Sequence, residues 1–235
     1  MAAAAAAALF GNTGLVGHQI QATLLSLDAC KTVYTISRRP PKTESPKLNA
    51  TVEPDSAKWT SILSSLSPIP ATVYSALGTT RAQAGGIQNQ WKIDHDLNAE
   101  IAKAAHAAGV KTYVFVSSAG TQSFIGGSVP YSKMKQGVEN TIKGLEFEQS
   151  IILRPGFLLG DREVNHAGGP LMNTVFRALG SVSLALQDKF SQEADVIARA
   201  AVKATMLAAE GKAPAKHWIL EAGDIVKLGR EEWKS

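Results

Sequence analysis

The sequence predicts a doubly wound α/β fold, an open parallel sheet with helices on both faces. Three observations carry this. Short β-rich runs alternate with helical patterns along the chain. The β runs hold few charges, as strands covered on both faces do. A glycine-rich turn joins the first strand to the first helix. At 235 residues the chain is long enough for one large core and short for two, so one domain spanning 1–235 is expected. Hydrophobic residues make up 45% and charged residues 19%, which fits a folded protein and excludes a disordered one.

The elements follow in order. An alanine run, residues 2–8, leads into Leu9 and Phe10. Its apolar stretch is far short of the roughly 20 residues that span a membrane. It lacks the Arg and Ser of a matrix presequence and the charged start of a secretory signal. Because the run ends in the glycine turn, 3–10 is expected as the first, central strand, where small side chains let helices approach closely; tertiary context overrides the helix propensity of alanine. A helix over 15–27 follows, then a strand over 32–37 (TVYTIS). A helix over 56–66 starts behind Asp55, a suitable N-cap, and a strand over 71–77 (ATVYSAL) comes next. The alanine-rich helix 94–108 ends at Gly109, a good C-cap, and leads to a strand over 112–118 (TYVFVSS). A helix over 131–143 follows Pro130 and stops at Gly144, before a strand over 150–153 (SIIL). The stretch 154–170 is the longest irregular segment and follows a strand, where such sheets bind ligands. Helices over 171–179 and 193–209 and a last strand over 216–220 complete the chain, with 154–190 as a small substrate-side region.

Charge and cysteine usage exclude several function classes. The 24 basic and 20 acidic residues give a net charge of +4. The one basic cluster is Arg38-Arg39 with Lys42 and Lys47 nearby, too sparse for a nucleic-acid surface. The single cysteine, Cys30, allows no internal disulfide and points to a reducing compartment or one that tolerates free thiols. His18, His95, His106, His166 and His217 show no metal-ligand spacing, so no metal is expected.

The chemistry starts at Gly11-Asn12-Thr13-Gly14-Leu15-Val16-Gly17, a GxxGxxG turn between the first strand and the first helix. The first glycine permits the sharp turn and the second lets the backbone approach a pyrophosphate. The third lets the helix pack close to the sheet with its N-terminus facing the phosphate charge. This reads as a dinucleotide site; the plainer alternative is a tight turn that uses glycine for geometry alone. The second strand ends in Ser37-Arg38-Arg39, without the acid that binds the NAD ribose 2′-hydroxyl. Guanidinium suits a 2′-phosphate, so NADPH is the expected cofactor, against the alternative of two solvated surface arginines.

Tyr131 and Lys135 form YxxxK at the start of a helix, on one helix face. An ammonium near the phenol stabilises phenolate, which suits Tyr131 to acid–base work. Ser118 ends the TYVFVSS strand, where its hydroxyl can orient a substrate carbonyl. YxxxK is common by chance; its registration with Ser118 and the glycine turn makes it specific. The chain has neither the GxSxG of a serine hydrolase nor a P-loop.

With LFGNTGLVG, SRR, VFVSSAG, YSKMK and LRPGFLLGDRE in place, the chain resembles the short-chain dehydrogenase/reductase superfamily over nearly its whole length. Within it, these motifs look most like the fungal "found in mitochondrial proteome" proteins and their animal relatives, the Tat-interacting-protein-like atypical reductases. The resemblance implies a Rossmann fold, bound NADPH, Tyr131 as general acid, and Ser118 and Lys135 in support, with Lys135 also holding the nicotinamide ribose. Ser117 is the less favoured serine, because the superfamily residue is usually the second of the pair. By the same resemblance, Leu77, Gly78 and Thr79 pass the adenine ribose and the nicotinamide side. Arg154, Pro155, Gly156, Phe157 and Leu158 resemble the segment whose backbone meets the nicotinamide carboxamide. Asp55 would bond the adenine amine, or serve as the N-cap alone. One departure stands out: where the superfamily helix often supplies a catalytic Asn, this chain has Asp94, with Asn98 one turn on.

The expected activity is reduction of a small carbonyl-like molecule. The alternative is a catalytically weak NADPH-binding sensor or adaptor at the mitochondrial surface. The resemblance also implies peripheral attachment to the mitochondrial outer membrane on its cytosolic face. The loop 160–170 is expected to line the substrate pocket, with Arg162 and His166 as either contacts or solvated residues. The stretch 171–186 is either core or a contact for lipid or a protein partner. Trp59, Trp91 and Trp218 are expected to pack rather than to stack on a cofactor.

Overall fold

The computed structural model describes residues 6–121, 129–159 and 191–234. Strand β1 (Ala6–Phe10) is followed by α1 (Leu15–Ser26), β2 (Thr32–Ser37), β3 (Leu48–Val52), a 3₁₀ turn (Ser56–Lys58), α2 (Trp59–Ser64) and β4 (Thr72–Ser75). Then come α3 (Arg81–Ala84) and a long helix in three parts, α4 (Ile87–Trp91), a π-helical segment (Lys92–Leu97) and α5 (Asn98–Ala107). The chain continues through β5 (Thr112–Val116), α6 (Pro130–Gly144), β6 (Gln149–Leu153), β7 (Phe157–Leu159), β8 (Ser191–Glu193) and α7 (Ala194–Ala209). Strand β9 (His217–Leu220), α8 (Ala222–Val226) and a second π segment (Lys227–Glu231) end the described chain.

Seven strands form one sheet in the order β3-β2-β1-β4-β5-β6-β9, and all its pairings are parallel. The doubly wound α/β fold is therefore as the alternation predicts. The described part of the alanine run is the central strand, with Ala8 opposite Tyr34 on one side and Val73 on the other. Its side chains alternate between two cores, as the two-residue repeat of a strand requires. Ala7 and Leu9 pack with Val16, Ile20 and Leu24 of α1 and Ile197 and Ala201 of α7. Ala6, Ala8 and Phe10 pack with Trp59, Ile101, Ala102, Ala105 and Val138 from α2, α5 and α6. The methyl groups of β1 keep both helical layers close to the sheet. Trp59 lies in the second core, its ring 5.9 Å from that of Phe10 and its indole N–H donating to Glu53 O at 2.9 Å.

The structure corrects several boundaries. Strand β3 lies where the sequence shows a Pro-rich, charged connection. It is an edge strand with partly exposed side chains, so its pattern (LNATV) carries little apolar signal. The helix expected to start at Asp94 starts at Ile87 and passes through the π segment. The segment 154–170 is not wholly irregular, because β7 pairs in parallel with β8 as a separate two-stranded sheet. Lys47 leaves the basic cluster: its ammonium donates to Leu25 O and Leu27 O at 3.2 and 3.0 Å, closing the end of α1. Helix α6 runs through Gly144, and the left-handed residue beyond it is Glu146, at φ 57°. The helix expected over 171–179 lies outside the described residues.

Candidate functional site

The sequence-predicted site residues in the glycine turn, the YxxxK helix and the strand-end serines cluster at the carboxyl ends of β1, β4, β5 and β6, where the sheet order reverses about β1. In the glycine turn each glycine meets a separate constraint. Gly11 has φ +86°, and a side chain there would lie 2.7 Å from Ala76 O. Gly14 donates its N–H to Gly11 O at 2.9 Å and is the N-cap of α1. A Cβ on Gly17 would stand 2.1 Å from Gly11 O, so only glycine lets the first turn of α1 rest on the loop. Asn12 is buried, and its Nδ2 donates to Gln21 Oε1 at 3.0 Å, tying the loop to the helix; its own Oδ1 has no partner. Thr13 and Leu15 are partly exposed, and Val16 belongs to the core. The first turn of α1 carries no acidic residue and no side-chain cap, so its positive end is open to an anion. This cradle fits a dinucleotide pyrophosphate.

Around the turn, Arg38 and Arg39 are exposed past the end of β2, and the Ser37 hydroxyl donates to Arg39 O at 2.7 Å, bending the chain there. Asp55 accepts from Ala57 N at 3.0 Å and so caps the 3₁₀ turn; its side chain acts as the N-cap that the sequence offered as one of two roles.

Past β4, Leu77, Gly78 and Thr79 lie against the π segment. Thr79 N–H donates to both oxygens of Asp94, at 3.0 and 3.3 Å, and Gln90 Nε2 donates to Thr79 O at 3.2 Å. Asn98 does not reach this point. Its Oδ1 accepts from the Ser75 hydroxyl at 2.6 Å, and its Nδ2 donates to the carbonyls of Ile93 and Asp94, groups within the π segment. It stabilises the helix distortion that turns Asp94 inward.

Tyr131, Lys135 and Glu139 follow one another down one face of α6. Lys135 is buried; its ammonium donates to Leu77 O at 3.3 Å and Val116 O at 3.1 Å, bridging the ends of β4 and β5. It lies 4.7 Å from the Phe115 ring centroid and 6.0 Å from that of Tyr131. Burial lowers the Lys135 pKa, and Asp94 and Glu139 oppose that shift. Burial likewise raises Asp94 above the usual carboxylate range, against Lys135 and the Thr79 N–H.

The two serines differ in setting. Ser117 points inward, its hydroxyl donating to Glu139 Oε1 at 2.5 Å, whereas Ser118 is partly exposed. Glu139 also receives Arg154 through Nε at 3.2 Å and Nη2 at 2.6 Å, and Arg154 Nη1 reaches Glu221 at 2.9 Å. Beyond Arg154, Pro155 O accepts from Ala119 N at 2.7 Å and Gly156 N–H donates to the buried Gln192 Oε1 at 2.7 Å. Phe157 and Leu158 enter β7. Glu139 and Gln192 are structural partners of the site that motif reading misses, and Arg154, the first residue of the matched segment, acts as a partner of Glu139. Glu139 had a signal: an acid on the same helical stripe as Tyr131 and Lys135. Arg162, His166 and the stretch 171–186 lie outside the described residues. Among the described residues no three His, Cys, Asp or Glu side chains gather as a metal set.

Comparison with known proteins agrees with this architecture. The HIM1 family model matches residues 43–180. The chain is 60% identical over 232 residues to the Neurospora crassa "Protein fmp-52, mitochondrial", covering 97% of this chain and 96% of that one. It is 58% identical over 227 residues to "Protein FMP52, mitochondrial" of Chaetomium globosum, covering 96% and 97%. Among solved structures it is similar to a short-chain dehydrogenase/reductase of Saccharomyces cerevisiae (TM-score 0.67, 17% identity, 95% of this chain and 99% of that one). It is also similar to the Bordetella bronchiseptica enzyme WbmH in complex with NAD+ (TM-score 0.67, 16% identity, 92% and 75%). On these matches and on its parallel sheet, the chain belongs to the HIM1 family, alongside the FMP52 mitochondrial proteins, and has the Rossmann-like fold of the short-chain dehydrogenases/reductases.

Proposed function

We propose that the protein is an NADPH-dependent oxidoreductase that reduces a small carbonyl-like molecule. One observation carries this reading: the buried Lys135 ammonium, bonded to the ends of β4 and β5, lies beneath the Tyr131 ring on the edge that presents the glycine turn. The glycine turn and the open end of α1 would hold the pyrophosphate, and Arg38 and Arg39 the 2′-phosphate. The dinucleotide would supply the hydride taken up by the carbonyl carbon. Tyr131 donates its proton to the carbonyl oxygen as negative charge grows there, Ser118 donates a hydrogen bond to the same oxygen, and solvent then reprotonates the phenolate. Lys135 keeps the phenol acidic enough to serve. Positioned general acid catalysis is worth roughly 10²- to 10⁴-fold.

The test is NADPH consumption against a panel of aldehydes, ketones and quinones. Tyr131→Phe is expected to bind NADPH as the parent does and to lose turnover by about 10²-fold or more. A rate unchanged in that variant would remove Tyr131 from the chemistry. A second reading, an NADPH-loaded sensor or adaptor, is favoured by Asp94, a buried carboxylate where the superfamily places Asn. Tight NADPH binding without turnover on any substrate class selects it. The names of the relatives support a mitochondrial location, which we place peripherally on the outer membrane, facing the cytosol. No described helix is long and apolar enough to cross a membrane. Protease treatment of intact mitochondria tests this: the protein should be digested while matrix proteins survive.

A further inference from the structure

The tyrosine–lysine chemistry leaves Asp94 unexplained. It is buried in the π segment, and both its oxygens accept the Thr79 N–H. A side chain on Gly78 would stand 3.1 Å from Asp94 Oδ1 and 3.8 Å from Lys135 Nζ, so Gly78 marks the gap across which carboxylate and ammonium face each other. Two carboxylates act on Lys135, Asp94 from the π segment and Glu139 from its own helix. Glu139 is committed elsewhere: Arg154 grips it at 2.6 and 3.2 Å, and the hydroxyls of Ser117 and Thr121 also point to it. With its charge balanced by a guanidinium, the counter-charge left for Lys135 is Asp94. The next residue, His95, is turned away, with Nδ1 on Asp96 and its other ring edge against Gly137. From β5, Lys135 meets the Phe115 ring and Val116 O, and along its own helix it meets Tyr131.

An ammonium beside a phenol favours phenolate, and a carboxylate facing that ammonium opposes the effect. We propose that Asp94 is a positioning residue that partly offsets the charge of Lys135, limiting how far that ammonium lowers the Tyr131 pKa and biasing the site toward giving a proton to a carbonyl oxygen rather than taking one from an alcohol. The proposal rests on the reading of Tyr131 as the acid, but its test requires no substrate. Tyrosinate absorbance is followed against pH in the full chain, and the same background carrying Tyr131→Phe is subtracted, which isolates Tyr131. Asp94→Asn is expected to move the Tyr131 midpoint down by about one pH unit, and Lys135→Met to move it up. The double variant Asp94→Asn with Lys135→Met leaves no unpaired buried charge, so it keeps the fold where a single variant fails. Its midpoint is expected between those of the two single variants, because two opposing charges have been removed together. An unmoved midpoint in Asp94→Asn, or a double variant that titrates like Lys135→Met alone, overturns the proposal. The substrate panel fails independently: with the midpoints as expected and no carbonyl reduced, the charge assignment to Asp94 stands and the reductase reading falls.

Discussion

Gly17 shows how little freedom the loop before α1 leaves, since any side chain would sit 2.1 Å from the Gly11 carbonyl. Gly17→Ala must push α1 off the sheet, and overpacking of this kind costs about 1–3 kcal/mol. In a chain of this size that lowers Tm by roughly 2–12 °C, and the NADPH dissociation constant should rise with it, both readable in one thermal-shift titration. Arg38 and Arg39 make a separable prediction. Replacing both with alanine should weaken NADPH binding about tenfold or more and leave NADH binding nearly unchanged, because a bidentate guanidinium contact to a 2′-phosphate exists only in the former. Equal loss for both dinucleotides in calorimetric titrations would remove the arginines from the 2′-phosphate. Such residues are legible in a sequence because backbone geometry or charge at a strand end dictates the residue type. The position of Asp94 opposite Lys135 is not, since it depends on a helix distortion that brings together residues far apart in the chain.

The elements around the site are joined by Glu139, which ties α6 to the loop after β5 through Ser117 and to the end of β6 through Arg154. Leaving a buried charge without its partner costs about 3–5 kcal/mol. Arg154 keeps Glu221 in Glu139→Gln, so that variant should lower the free energy of unfolding in urea by at most about that much, and adding Arg154→Met should restore a good part of it. At the far sheet edge, the His217 ring of β9 shares a 2.6 Å hydrogen bond with the Ser150 hydroxyl of β6. Burial, with Lys143 adding to it, holds the His217 imidazole below its ordinary value. The unfolded chain then takes up a proton below about pH 6.5 that the folded chain refuses. Stability from His217 is thus present above that pH and is lost as pH falls through the folded-state value. Urea midpoints between pH 7.5 and pH 5 should fall less steeply in His217→Gln than in the parent; identical slopes reject the assignment. Strands rich in β-branched and aromatic residues, such as β2 and β5, announce themselves in the sequence, and so does α6 with Pro130 at its start. Strand β3 does not, because an edge strand half in water has little apolar pattern, and neither do β7 and β8, which are three residues each.

The whole molecule depends on β1. Its five described residues are all buried, pair on both sides and supply both helical layers with their contact to the sheet. Deleting 1–10 should yield protein that sediments with the insoluble fraction. The doubly wound plan was readable from alternation alone, because the buried parallel strands leave short runs with few charges and the amphipathic helices leave a 3.6-residue period; the strand order was not, since no local pattern encodes which neighbour a strand chooses. That order has a consequence during synthesis. From the ribosome, β1 comes first, β2 and β3 extend the sheet on one side, and β4, β5, β6 and β9 extend it on the other. No strand in the series must be inserted between two already paired. Each newly made segment finds a ready template at a growing edge, so the sheet can be assembled in the order of translation, outward from an alanine spine.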